Sequence, residues 1–180
     1  MQIEIVVNGK KVMATIDDKD MKEALGEETK KKKTGYERAE KGEKFYIPSI
    51  NRCDDFCGDV EHKSSVDDMI YRVAKYYTDK NVARNNERAD TLMRKLRRFS
   101  AENGGMPSCR MAARSSFKYD WSIEFDIDRG SLYAINTYTR PGIIYFSSRK
   151  AAEKAIEEFK DELLWYFTEY DPMPEGFWDD

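Results

Sequence analysis

An octet is written twice in this chain: Tyr76-Tyr77-Thr78-Asp79-Lys80-Asn81-Val82-Ala83 returns 69 residues later as Tyr145-Phe146-Ser147-Ser148-Arg149-Lys150-Ala151-Ala152. In each copy an aromatic pair suited to a buried strand end is followed by a residue whose side-chain oxygen caps the first free N–H groups of a helix. Each copy opens a long amphipathic stretch, so the chain reads as one strand-to-helix unit used twice.

The stretches behind the two copies differ in sequence but share a period. Val82, Ala89, Leu92, Met93, Leu96 and Phe99 fall on one stripe at helical spacing, which predicts a helix over about 79–101 with Arg84, Arg94, Lys95 and Arg98 on its opposite side. Asn103-Gly104-Gly105 ends it. In the second stretch Ala152, Ala155, Ile156, Phe159, Leu163, Tyr166, Phe167 and Tyr170 share a face, which predicts a helix from Arg149 to about Tyr170.

Strands are expected before each helix. Lys44 to Ile47, closed by Pro48, and a run from about Met69 to Tyr77 precede the first. Trp121, Ile123, Phe125 and Ile127 alternate with Ser122, Glu124 and Asp126, turn at Asp128-Arg129-Gly130 into 132–139, turn again at Pro141-Gly142 and continue to Phe146 before the second. The reading is an α+β fold: one antiparallel sheet from two repeated units, about 43–103 and 117–170, with the helices on its core face. Ahead of it, Ile3 to Val7 and Val12 to Ile16 flank Asn8-Gly9, a strong hairpin signal, and a short helix should run to Leu25. This places a small element at 1–30, a lysine-bearing linker at 27–42, the main domain at 43–180 and an acidic aromatic tail at 171–180. A lone hairpin is marginal in water, so it should pack on the main domain or on a second copy in a homodimer.

At 180 residues, with 36% charged and 13% aromatic residues, the chain can bury a core without metal or disulfide staples. Three cysteines fit a reducing compartment rather than a secreted framework. No apolar run nears the ~20 residues that span a bilayer. The expectation is a cytoplasmic protein with no membrane contact and no cofactor. A net charge of −3 argues against a dedicated, wholly basic nucleic-acid binder and against an extreme polyanionic DNA mimic.

The local charge is uneven. Lys80 to Arg98 holds seven basic residues, among them Arg84, Arg88, Arg94, Lys95 and Arg98, against Glu87 and Asp90. Such a stripe suits phosphate contacts, or is a solvated helix face. Glu158 to Asp180 holds eight acids, including Glu158, Asp161 and Glu162, against Lys160. A continuous helix puts Trp165 opposite the apolar stripe, beside Asp161 and Glu162. There it is an exposed partner-binding anchor, with Phe177 and Trp178 nearby, or is covered by the folded-back tail.

Cys53, Cys57 and His62 form a weak C-x3-C-x4-H metal candidate with no regular fourth ligand. Glu61-His62-Lys63 matches half of a nuclease site, with Asp59 nearby, on three residues. His62 is the sole histidine, no G-x-S-x-G is present, and Gly104-Gly105 lacks the Lys-Ser/Thr of a phosphate loop, so enzyme readings are disfavoured.

Thr34-Gly35-Tyr36-Glu37-Arg38-Ala39-Glu40-Lys41-Gly42-Glu43-Lys44-Phe45-Tyr46-Ile47, Tyr76-Tyr77-Thr78-Asp79-Lys80 with Leu92-Met93-Arg94-Lys95-Leu96-Arg97-Arg98-Phe99, and Ile144-Tyr145-Phe146-Ser147-Ser148 with Ala152 to Ile156 and Tyr166 look like a small-protein family of Firmicutes phages and prophages. The chain also resembles, in size and look, the type II anti-CRISPR proteins that inhibit Cas9. The resemblance spans roughly residues 34 to 170. It implies a phage accessory protein acting in the host cytoplasm on a host protein such as Cas9 or its guide-RNA complex. It assigns no site residue. The rival expectation is a DNA- or RNA-binding accessory protein that uses the basic helix.

Overall fold

The structure, a computed structural model, describes residues 2–7, 10–15, 32–48, 56–104, 119–138, 140 and 142–179. It divides into two compact units, Met1–Lys33 and Thr34–Asp180. In the first, β1 (Gln2–Val7) pairs antiparallel with β2 (Lys10–Thr15), from Gln2 opposite Thr15 to Val7 opposite Lys10. The Asn8-Gly9 turn and the helix expected to end near Leu25 lie outside the described residues.

The second unit is α+β. β3 (Lys44–Pro48) pairs antiparallel with β4 (Phe56–Val60), and α1 (Ser65–Arg72) and α2 (Lys80–Glu102) follow. β5 (Tyr119–Asp126) then pairs antiparallel with β6 (Ser131–Tyr138), and α3 (Arg149–Glu158) and α4 (Lys160–Thr168) complete it.

Both corners form where the octets fall. Asp79 Oδ1 accepts from the N–H groups of Asn81 and Val82 at 2.8 and 2.9 Å, and Ser148 Oγ accepts from that of Ala151 at 3.2 Å. Ahead of each cap one residue bridges a hairpin strand, Tyr77 to Tyr46 and Phe146 to Trp121. The single sheet expected from sequence is not formed among the described residues; separate two-stranded ladders stand in its place. The reason is local, because a cap two residues after Tyr77 or Phe146 turns the chain into a helix before a third strand can extend.

The expected strand from Met69 to Tyr77 is corrected to α1, with Tyr77 alone in a ladder. Ser64 and Asp67 form a capping box, each side chain accepting the other's backbone N–H, and this fixes a helix start that the apolar run concealed. The helix expected over 149–170 is corrected to two, broken at Phe159, where φ is −114° and ψ 25°. Residues 34–42 are corrected from linker to packed structure. Ala39 is buried and its N–H donates to Tyr76 Oη at 3.2 Å, while Gly35, at φ +82°, lies so near Asp79 and Val82 that a Cβ there would crowd both.

The larger core gathers Leu92, Leu96 and Phe99 of α2 with Phe146, Ala152, Ala155, Phe159 and Leu163, under Trp121, Ile123, Leu132 and Ala134 of the second hairpin. The α2 stripe is the one expected. A smaller cluster stacks Phe45 on Tyr76 at 4.2 Å beside Ala39. No described helix is long and apolar enough to cross a membrane.

Candidate functional site

α2 and α4 enclose a groove of about 540 Å3 lined by Arg84, Arg88, Thr91, Leu92, Lys95, Asp161 and Glu162. The basic and acidic candidates therefore meet there instead of occupying separate outer surfaces. Lys95 Nζ lies 3.1 Å from Glu162 Oε1. Both ends are partly exposed, so the pair is worth less than about 1 kcal/mol.

Of the two expectations for Trp165, the exposed partner-binding anchor is corrected, because the side chain is buried, at 8% exposure. The Arg88 guanidinium lies 3.8 Å from its ring centroid and Tyr170 packs at 5.7 Å. Leu163-Leu164-Trp165-Tyr166-Phe167 is apolar all round, so α4 needs cover on more than one side. Leu163 takes the core side and Trp165 the side under Arg88.

The remaining cations divide. Arg94 bonds Glu87 and Thr91, whereas Arg84 and Arg98 make no ion pair among the described residues. Glu158 is not in this groove. It lies with Phe99, Glu102, Asn103, Lys154 and Glu157 along a cleft of about 520 Å3.

Among the described residues no ring pair joins Trp165 to Phe177 or Trp178, yet the tail does not hang free. Asn85 Nδ2 donates to the Asp171 carbonyl at 3.1 Å, Tyr36 Oη to that of Pro172 at 2.9 Å, and Tyr170 Oη to Asn86 Oδ1 at 2.9 Å. Burial pushes the Tyr170 phenol up to about 12. Beyond this anchor the chain turns, with Phe177 N–H donating to the Pro174 carbonyl at 3.0 Å. Phe177 and Trp178 meet edge to face at 5.0 Å, Phe177 half-buried and Trp178 68% exposed. The exposed tryptophan of the acidic end is thus Trp178. Tyr36, Asn85 and Asn86, which hold the tail, were not singled out from sequence.

Glu61-His62-Lys63 has a structural role. The Glu61 carboxylate, wholly buried, accepts from Arg38 Nη2 at 3.0 Å, Tyr76 Oη at 2.6 Å and the Lys63 N–H at 2.7 Å. The Arg38 bond, with those from Tyr76 and Lys63, holds Glu61 below its ordinary 4.5 against the opposing effect of burial. Lys63, at φ +57°, donates through Nζ to the Ala39 carbonyl at 2.8 Å. Neither end of the matched triplet is free to hold a cation or a scissile phosphate. Of the thiol-imidazole candidates, Cys57 and His62 are exposed, and Cys53 lies outside the described residues, as does Cys109. Among the described residues no three His, Cys, Asp or Glu side chains gather as a metal-ligand group.

No protein-family model, curated protein or solved structure matches this chain.

Proposed function

We propose that the protein is a non-enzymatic, phage-encoded inhibitor of a host defence nuclease, most specifically Cas9, and that it acts in the host cytoplasm through its acidic aromatic end. Trp178 carries the reading. It stands 68% exposed between Glu175 and Asp179 on a tail tied to α2 and Tyr36. Cas9 holds its heteroduplex in a cationic channel, and an acidic aromatic segment competes with nucleic acid there. A tail already held in shape loses less conformational freedom on binding. In this reading the two strand-to-helix corners are copies of one unit serving as scaffold, and the resemblance over residues 34 to 170 supplies the target class.

The test is DNA cleavage by Cas9 with the protein in excess, together with co-purification. Wild type should suppress cleavage, and Trp178→Ala should weaken binding by about 2 kcal/mol, as loss of a central aromatic anchor does. Cleavage that proceeds unimpaired at excess protein removes the proposal.

A second reading, in which α2 holds nucleic-acid phosphates, draws on exposed Arg84 and Arg98. It is the weaker, since Arg88, Arg94 and Lys95 are engaged within the chain. It requires duplex binding that falls steeply with salt and is lost on charge reversal at Arg84 and Arg98.

A further inference from the structure

A second groove, of about 290 Å3, opens where β5 and the segment 142–146 separate, and Met93, Leu96, Ile144, Phe146, Tyr166 and Phe167 give it apolar walls. Trp121 and Phe146 exchange both backbone hydrogen bonds, with N···O distances of 3.3 and 2.7 Å. In an antiparallel ladder the N–H and C=O of one residue lie on the same side, and that side recurs two residues on. Ile123, then Phe125, therefore turn a donor and an acceptor to the edge that residues 142–144 have left. Among the described residues nothing across that edge bonds them. Ile123 lines the groove, and Glu124, exposed, is the charged residue beside it.

We propose that this groove binds an extended peptide segment of a partner protein by strand addition to β5, with a large apolar side chain in the pit and a basic residue next to it facing Glu124. The donor and acceptor of Ile123, unpaired among the described residues, are the complement of one strand residue, and apolar walls take an anchor side chain. The Glu124 carboxylate, which accepts from Tyr133 Oη at 3.0 Å on the other face of the hairpin, selects a cation over an anion at the neighbouring residue of an added strand. The second hairpin of another copy fits less well, because its outer strand β6, Ser-Leu-Tyr-Ala-Ile-Asn-Thr-Tyr, has no basic residue to offer. The site is separate from the tail and does not depend on the Cas9 reading.

The probe is a labelled peptide, Thr-Val-Lys-Phe-Lys-Val-Thr, titrated onto the full chain by fluorescence anisotropy, with amide hydrogen exchange read in parallel. Saturable binding is expected, weakened at least about tenfold by Phe→Ala in the peptide, as for a hot-spot truncation. Ile143→Asp, at a half-exposed lining position, should weaken it similarly, and Glu124→Lys should reverse the preference between this peptide and its Lys→Glu form. Trp178→Ala should leave it unchanged, so that failure here and failure of the Cas9 reading stay distinguishable. The amides of Ile123 and Phe125 should exchange fast in the free protein and slow on binding. No saturable binding at millimolar peptide, slow exchange at Ile123 without peptide, or protection confined to Leu132, Ala134 and Asn136 on the other edge of the hairpin would each overturn the proposal.

Discussion

The two strand-to-helix corners share a backbone plan and differ in what holds their first aromatic ring. At the first, Tyr76 Oη donates to the buried carboxylate of Glu61, itself paired with Arg38, which also reaches Asp68 at 2.6 Å. At the second, Tyr145 Oη donates to the Tyr138 carbonyl at 3.0 Å and accepts from the Arg140 N–H at 2.8 Å, while Ser100 Oγ donates to the Tyr145 carbonyl at 2.6 Å. One corner is fixed by charge and the other by neutral groups under the larger apolar core. The same local instruction, aromatic pair then cap, thus works with either kind of support, and the two halves should fail under different conditions.

The largest losses should come from the second aromatic of each pair. Phe146 lies within the main cluster, edge-on to Phe99 at 6.5 Å, whereas Tyr77 packs in a small cluster with Val82, Ala83 and Tyr46. Phe146→Ala should cost about 4 kcal/mol in urea unfolding and Tyr77→Ala about 3, within the range for aromatic truncation in a core. The reverse order would break the account of where the core sits. Next come the supports of the first ring. Glu61→Ala leaves the Tyr76 hydroxyl and the Lys63 amide without their acceptor and Arg38 with Asp68 alone, and should cost roughly 2 kcal/mol. Tyr145→Phe removes neutral hydrogen bonds and should cost about 1 kcal/mol.

Acid should separate the corners further. Glu61 lies below its ordinary 4.5 chiefly through Arg38, and Asp67 below its ordinary 3.8 chiefly through the backbone of Ser64. Burial opposes ionisation of Glu37, but bonds from Thr34 and Gly35 outweigh it and hold that carboxyl below 4.5 as well. All three flank the first corner. A carboxyl lowered in the folded state releases its proton more readily there than in the unfolded chain, so its stabilisation is complete above the unfolded value and is lost as pH falls through the folded one. Stability should therefore decline from about pH 4.5 downward, and Glu61→Gln should flatten that limb in thermal melts taken across the range. An unchanged acid limb would remove Glu61 from its cause. At high pH the sign reverses for phenols. Burial raises Tyr77 to about 12, so its contribution holds below the ordinary 10 and is lost as pH climbs toward 12.

What the sequence made legible was local. The α2 stripe, the alternation of β5, the Asp79 and Ser148 caps and the halt at Asn103 all rest on neighbours within a few residues. The misread parts needed either a stronger local signal or a distant partner. Met69, Ile70 and Val73 by themselves read as a strand, and the signal that decides for α1 is the Ser64 and Asp67 capping box ahead of them. Along one unbroken helix the angle of Trp165 falls opposite the apolar stripe, and the break at Phe159 resets that angle. Arg38 and Glu61 are 23 residues apart, and Tyr36 and Pro172 are 136 apart, separations at which no periodicity speaks. The candidate charges are the least legible, since the stripe of α2 puts Lys95 on its far side and says nothing of α4, whose Glu162 and Trp165 meet Lys95 and Arg88.

The smallest effect offers the sharpest comparison, because it exchanges the caps themselves. Asp79 accepts two N–H bonds and adds a negative charge at the positive end of the α2 dipole, whereas Ser148 accepts one longer bond at α3. Removing either by alanine should cost about 1 kcal/mol, Asp79 somewhat more. If the corners share one geometry, Asp79→Ser should lose roughly 0.5 kcal/mol and Ser148→Asp should gain a similar amount, with both differences shrinking in high salt as the dipole term is screened. Thermal melts at low and high salt measure this directly. A Ser148→Asp variant that loses stability would mean that the second corner holds its cap in a geometry the first does not share, whatever the resemblance of the two octets.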